Sequence, residues 1–338
     1  MRAHTRLVPL ALLLAKAATA APEGGDSLRV GACGPLRGIV GAASYRRGMT
    51  SIDVSDTPVV VTGSLSPSRA ADFKTCPLLY RFRCIDRLPE APSLVATRGT
   101  VVHAVLEELF DLPASERTLA AARELVPAAW RRVLEEQPAV AELFSADADG
   151  SELAEWLASA AELLGNYFRL EDPSRLEPAA REQLVEVVVD GLRLRGYVDR
   201  LDVSPAGDIR VVDYKTGTTP REAFEGKALF QMKFYALVLW RTRGVVPRQL
   251  RLMYLADTDT LSYSPDADEL VRFERTLKAI WAAIERATES GDFRPSPSRL
   301  CDWCDHQALC PAFGGTPPPF PHDALANIGD DRRAAAAD

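Results

Sequence analysis

The sequence predicts an α/β domain built on a mixed sheet, and three observations predict it. Runs rich in Val, Leu, Ile and Tyr follow one another between Leu184 and Lys215, separated by short turn segments. Apolar stripes at helical spacing lie before and after that block. A further strand-like run, Gln249 to Leu255, arrives after a helical stretch, so it can pair in parallel through a crossover.

Composition narrows the classes. The chain has 338 residues, enough for one large domain or two small ones. Hydrophobic content of 47% and charged content of 26% are ordinary for a globular chain. A formal net charge of −7 excludes a molecule that is basic all over, while leaving room for a local basic groove. No apolar run reaches membrane-spanning length, so no membrane role is expected. Six cysteines in a chain this long do not make a disulfide scaffold.

Residues 1–60 read differently from the rest. Arg2 to Arg6 is basic, Leu7 to Ala15 is apolar, and Ala18-Thr-Ala20 imitates a signal-peptidase site. The stretch from Gly24 to Gly48 has neither period nor core pattern. A cysteine cluster suited to reduced thiols stands against export. The expectation is a disordered or non-native extension over 1–60, a native start at Met49, and a cytoplasmic protein.

Ordered chain begins near Ser64. Ser66 is an N-cap, Pro67 fits the first helical position, and Leu65 can staple onto the first turn. That helix stops at Cys76-Pro77. Cys84 reads as a core thiol. A helix from Thr100 to Asp111 carries Val102, Val105, Leu106, Leu109 and Phe110 on one stripe. His103 sits at its edge, and by itself reads as a hydrogen-bonded structural residue. Leu119 to Leu134 and Leu153 to Leu170 are further helices, a scaffold or the cover of a channel, joined through Asp147-Ala-Asp-Gly150.

The sheet follows. Leu184 to Asp190 is a strand, Asp190-Gly191 a hairpin turn, and Leu192 opens a return strand through Gly196-Tyr-Val-Asp-Arg-Leu-Asp-Val203. Ser204 to Asp208 is turn chemistry, and Ile209-Arg-Val-Val-Asp-Tyr-Lys-Thr-Gly217 is the third antiparallel strand. A turn centred on Ala206 puts Asp199 opposite Asp213, with Lys215 two residues on and on the same face. Opposed carboxylates repel, so the pair calls for compensation. A hard cation such as Mg²⁺ or Mn²⁺ supplies it. A surface ladder pairing Asp199 with Arg200 or Arg195, and Asp213 with Lys215, is the plainer alternative. The Val198 and Val211-Val212 flanks favour the central, cation-holding strand pair.

Phe224 to Arg243 is a helix on which Gln231 and Tyr235, four apart, share one side. Asp266 to Ser290 is a long helix with Leu270, Phe273, Leu277, Ile280, Trp281 and Ile284 in its stripe. Near the end, Cys301, Cys304 and Cys310 form C-x₂-C-x₅-C. Three thiols this close suggest a metal centre whose fourth ligand is His306 or Cys76. Zinc and an iron–sulfur cluster both fit. Residues 315–338 read as a disordered tail.

Three motifs occur in order: G-x-x-D-R at Gly196, D-x-K at Asp213, and Q-x-x-x-Y at Gln231. Together they resemble the RecB-like branch of the PD-(D/E)XK nuclease superfamily, across residues 64–314. The resemblance implies a restriction-endonuclease-like core, with a mixed central sheet flanked by helices and a helical insertion. It implies a Mg²⁺- or Mn²⁺-dependent deoxyribonuclease, an exonuclease of DNA repair and recombination. His103, in Gly99-Thr-Val-Val-His103, matches the metal-binding His of that branch. Asp199, Asp213 and the Tyr214 carbonyl would complete the metal site, with Glu182 or Glu186 as an auxiliary ligand. Lys215 would position the attacking water, and Gln231 with Tyr235 would align Lys215. Cys76, Cys301, Cys304 and Cys310 would hold a 4Fe-4S cluster, with zinc as the alternative. DNA is the implied partner. The chain lacks a G-x-x-x-x-G-K-[ST] loop, so work on duplex ends would call for a separate helicase motor subunit. Two other classes stand beside this one: a non-catalytic DNA-binding or helicase-partner module of the same fold, and a zinc-stabilised structural protein.

Overall fold

The computed structural model describes residues 63–220 and 225–321. The expected N-terminal extension and the tail beyond residue 321 lie outside the described residues. Strand β1 (Gly63–Leu65) leads into α1 (Pro67–Thr75), where the Ser66 hydroxyl accepts from the Arg69 amide at 3.3 Å. Cys76 is extended and breaks the helix, and Pro77 starts α2 (Pro77–Tyr80), which widens into a π-helical turn over Arg81–Ile85. Next comes a layer of three helices: α3 (Leu94–Leu109), α4 (Leu119–Glu136) and α5 (Ser151–Leu170). Helix α3 starts six residues before the expected Thr100, because Ser93 caps it.

The sheet meander is as expected: β2 (Ala180–Val189), β3 (Leu192–Val203) and β4 (Ile209–Lys215) run antiparallel in sequence. Helix α6 (Glu225–Arg243) then carries the chain over to β5 (Gln249–Tyr254), which pairs in parallel with β4. A short antiparallel strand, β6 (Asp259–Tyr263), completes the edge. Helix α7 (Ala267–Ser290) begins at Asp266, whose carboxylate caps Glu269. Pairing runs β1-β3-β4-β5-β6, with β2 along the other side of β3. Strand β3 therefore shares one edge between β1, at Leu192 to Leu194, and β4, from Arg200 onward.

Two apolar cores lie against this sheet. One joins Leu194, Val198, Leu201 and Val211 to Phe234 and Leu237 of α6 and Leu277, Trp281 and Ile284 of α7. The other joins Val212, Tyr214, Met253 and Leu255 to Val105 of α3, Trp130 of α4 and Leu164 of α5. Mixed sheet and two helical layers are the architecture the sequence predicts.

Leu192, Leu194 and Val198 face the same core as Leu201. A regular strand alternates faces, so an even-to-odd change means that β3 slips phase between Val198 and Leu201. Strand β2 slips with it, from Ala180 to Val185, and Glu182 between them has φ 40°. Both slips fall at the site.

Residues 315–321 depart from the expected disordered tail. Phe320 stacks on Phe293 with ring centroids 5.9 Å apart, and the Pro318 carbonyl accepts from the Arg81 guanidinium.

Candidate active site

The β3–β4 ladder ends at Arg200 opposite Val212. One step further the same register brings Asp199 to Asp213, where the strands fork. Asp199 takes over the ladder's role with its side chain, and its Oδ2 accepts the Tyr214 amide at 2.7 Å. On the other side of β3 the register places Glu182 across from Asp199. Three carboxylates thus form one row across three strands.

Helix α3 delivers His103 over this row. Its Nε2 donates to the Tyr214 carbonyl at 2.9 Å. Its Nδ1 is then the atom turned to the carboxylates, 3.6 Å from Asp199 and 3.7 Å from Glu182. His103, Glu182 and Asp199 offer ligand atoms that all lie within 4.8 Å of one another. Burial alone would lower the His103 pKa, but the charges of Asp199 and Glu182 outweigh it and raise it to about 9. Glu186 is exposed and lies opposite Arg195, away from the row.

Asp213 is 1% exposed. Its Oδ2 lies 2.7 Å from Lys215 Nζ, and its Oδ1 has no hydrogen-bond partner among the described residues. Burial pushes its pKa up to about 6, against the pull of Lys215. Asp199 is also raised, first by burial. A buried carboxylate oxygen without a donor, beside two more acidic groups, has the chemistry of a hard-cation ligand. The residues present therefore fit a divalent cation.

Lys215 is oriented from α6. Its Nζ donates to Gln231 Oε1 at 2.9 Å, and Gln231 Nε2 donates to the Tyr235 hydroxyl at 3.0 Å. The Tyr235 ring lies against Gly196, where a Cβ would come within 2.7 Å of Tyr235 Cε1. That close approach is why the first motif opens with glycine. Burial would lower the Lys215 pKa, but Asp213 and Asp199 raise it, so the ammonium is charged.

The plainer alternative is realised only in part. Asp213 does pair with Lys215, but Arg200 does not pair with Asp199. Its fully buried guanidinium binds Glu171, at the end of α5, and Asp202, and donates to the Tyr214 hydroxyl at 2.8 Å. This arginine ties the helical layer to the sheet, a role that spacing alone did not reveal.

The four candidate thiols meet at the far end of the core. Cys76, Cys301, Cys304 and Cys310 line one cavity of about 50 Å³, with Phe82 and His306. None is in a disulfide. The amides of Ser296 and Ser298 approach the sulfurs of Cys76 and Cys301 at 3.4 and 3.3 Å. Burial pushes the Cys304 thiol up. His306, the other candidate ligand, turns its Nε2 to Glu90 at 3.0 Å. Cys84 packs against the first core.

A mixed sheet that forks at an Asp, Asp and Lys set, with helices on both faces, has the build of a nuclease core. Residues 64–311 match the PD-(D/E)XK nuclease superfamily, and the chain belongs to that family. It is similar to the Gene 69 protein of Mycobacterium phage D29, with 25% identity over 268 residues, 73% of this chain and 96% of that one. The Gene 69 protein of Mycobacterium phage L5 is 31% identical over 130 residues, 38% of this chain. That match spans 42% of the L5 protein's length. In fold the chain is similar to the crystal structure of a protein described as "Putative exonuclease" from Eubacterium rectale. The TM-score is 0.51 at 14% identity, over 82% of this chain and 98% of that one. Among the described residues no helix is long and apolar enough to cross a membrane.

Proposed function

We propose that the chain is a divalent-cation-dependent deoxyribonuclease acting as an exonuclease in DNA repair or recombination. The observation that carries the proposal is Asp213: buried, one oxygen held by Lys215 and the other left without a donor, in a row with Asp199 and Glu182. Asp199, Asp213, His103 and the second lone pair of the Tyr214 carbonyl would hold Mg²⁺ or Mn²⁺, with Glu182 rather than Glu186 as the auxiliary carboxylate. When bound, the cation polarises a phosphoryl oxygen and lowers the pKa of water. Lys215 orients the attacking water and offsets the charge that builds on the phosphate. Gln231 and Tyr235 hold the lysine in line. As a ligand His103 would be neutral, its Nε2 proton kept on the Tyr214 carbonyl and its Nδ1 free of a proton.

The four thiols support a 4Fe-4S cluster that ties α1 to the C-terminal segment. Amide donors on two of the sulfurs and the turning of His306 to Glu90 favour four-thiolate ligation over Cys₃His zinc. Free thiols also support a reducing, cytoplasmic setting. A separate helicase motor would supply single strands from duplex ends.

The test is cleavage of end-labelled single-stranded DNA by anaerobically purified protein with Mg²⁺ or Mn²⁺, beside Lys215→Ala. Cation-dependent cleavage that the variant loses is the expected result. Equal cleavage by both would overturn the assignment of the site. Binding without cleavage by folded, iron-loaded protein would favour the non-catalytic module.

A further inference from the structure

We propose that the outer face of the β2–β3 ribbon is a track for single-stranded nucleic acid leading to the site, an inference that rests on the nuclease reading above. The strand alternation puts Arg193, Arg195 and Tyr197 on the face turned away from the core that holds Leu192, Leu194 and Val198. The register sets Val188, Glu186 and Leu184 of β2 beside them. Among the described residues neither apolar core reaches this face between Arg193 and Tyr197. Helices α6 and α7 pack on its other side, and α3 to α5 pack over β4 and β5. Leu184 and Val188 are accordingly 39% and 37% exposed.

Charge and shape point to the occupant. Arg193 is half-buried, and its side chain makes no ion pair or hydrogen bond among the described residues. Arg195 has Glu186 across from it, which offsets part of its charge. Tyr197 and Leu184 are cross-strand partners two residues from Asp199, so an aromatic and an aliphatic side chain stand side by side on this face. An aromatic platform suits the face of an unpaired base, which a duplex hides. Alternate residues of a strand stand about 6.7 Å apart. At that spacing the two guanidinium groups can take phosphates of one strand, and the row ends where the ribbon slips phase and Asp199 begins the site.

The experiment is binding of a short fluorescent oligo(dT), read by anisotropy in EDTA so that no cleavage intervenes. The full chain is compared with Arg193→Ala, Arg193→Lys and Tyr197→Ala. Tyr197→Ala should raise Kd by roughly 5- to 100-fold, the range for removing a stacking aromatic. Arg193→Ala should lower the slope of log K against log salt by about 0.7, and Arg193→Lys should restore it. A hairpin duplex should bind with the same Kd to all four proteins. Unchanged Kd and slope in proteins that do bind the oligomer would overturn the track and leave the nuclease reading standing. Equal losses on the duplex would overturn the single-strand assignment. A full chain that neither binds nor cleaves would overturn both. Arg193 is partly exposed, so its pair of variants keeps the test open if Tyr197→Ala does not fold.

Discussion

Glu182 stands across from Asp199 at the one position of the β2–β3 ribbon where the ladder skips a pair. Arg181 pairs with Arg200 and Gln183 with Val198, while Glu182 between them adopts φ 40°. A left-handed backbone costs a residue with a Cβ about 1–2 kcal/mol. Strain and carboxylate thus coincide at one residue.

Replacing it separates the two. Glu182→Gly should change the melting temperature without divalent ions little, because the relief of strain is offset by the loss of one of the two carboxylates that face the protonated His103. Its Mn²⁺ affinity should fall by about 10- to 100-fold, the usual cost of losing an auxiliary group at a metal site. Calorimetry and a Mn²⁺ titration followed by electron paramagnetic resonance check the two halves. Lower stability with unchanged affinity would mean that Glu182 serves packing alone.

Gly196 carries the second prediction. A methyl there meets Tyr235 Cε1 at 2.7 Å and Pro67 Cδ at 3.3 Å, and both neighbours are buried. Gly196→Ala should destabilise by about 1–3 kcal/mol through overpacking. Because the Tyr235 hydroxyl steadies Gln231, and Gln231 steadies Lys215, the loss of cleavage rate should exceed what that destabilisation explains. Denaturant unfolding and single-turnover cleavage, measured at a temperature where the variant is folded, provide the comparison.

Glu171 sets the acid limb of stability. Burial alone would raise its pKa, but the Arg200 guanidinium and the Tyr167 hydroxyl hold it below the ordinary value of 4.5. A carboxyl depressed on folding stabilises fully above the unfolded value, and this contribution is lost as pH falls through the folded one. Glu171→Gln should therefore flatten the decline of stability below about pH 4.5. At pH 7 it should cost about 3–5 kcal/mol, because Arg200 is left buried with Asp202 as its one carboxylate partner. Urea melts from pH 3 to pH 7 decide this, and a variant as pH-sensitive as the parent would refute it.

The thiol cavity gives a prediction without reference to catalysis. Anaerobically purified protein should carry iron and a broad visible absorbance. Cys76→Ser and Cys304→Ser should each lose both and melt earlier. Zinc in place of iron in the metal analysis would return the site to the tetrahedral alternative.

Much of this was legible because chemistry-bearing residues sat on regular periods. Asp199, Asp213 and Lys215 could be placed from a turn centre and a two-residue repeat. Gln231 and Tyr235 followed from helical spacing. The choice between Glu182 and Glu186 could not be made that way, since the ribbon slips phase at the site and strict alternation stops being a guide. Gly99 and the exposed Leu94 and Val95 break the apolar stripe, and so hid the early start of α3 at its Ser93 cap. Strand β6 is short and polar, and only its pairing with β5 defines it. The Gly- and Pro-rich composition after Cys310 hid the packing of Phe320, a contact with residues distant in sequence.

Helices α3 to α5 enter the chain between β1 and β2, and their apolar core forms mostly within their own layer. They reach the sheet largely through polar ties along one seam: Glu171 to Arg200 and Arg251, Arg181 to the Glu107 carbonyl and Asp111, the Asn166 amide to the Leu255 carbonyl at 2.7 Å, and His103 to Tyr214. Such a layer is a candidate for opening as a unit, at a free energy below that of global unfolding. Each opening would carry His103 off while the carboxylates stay on the sheet. The site would then be assembled and dismantled with the layer's own equilibrium. Amide exchange along α3, slowed by a divalent ion and not by an equal ionic strength of monovalent salt, would be its signature.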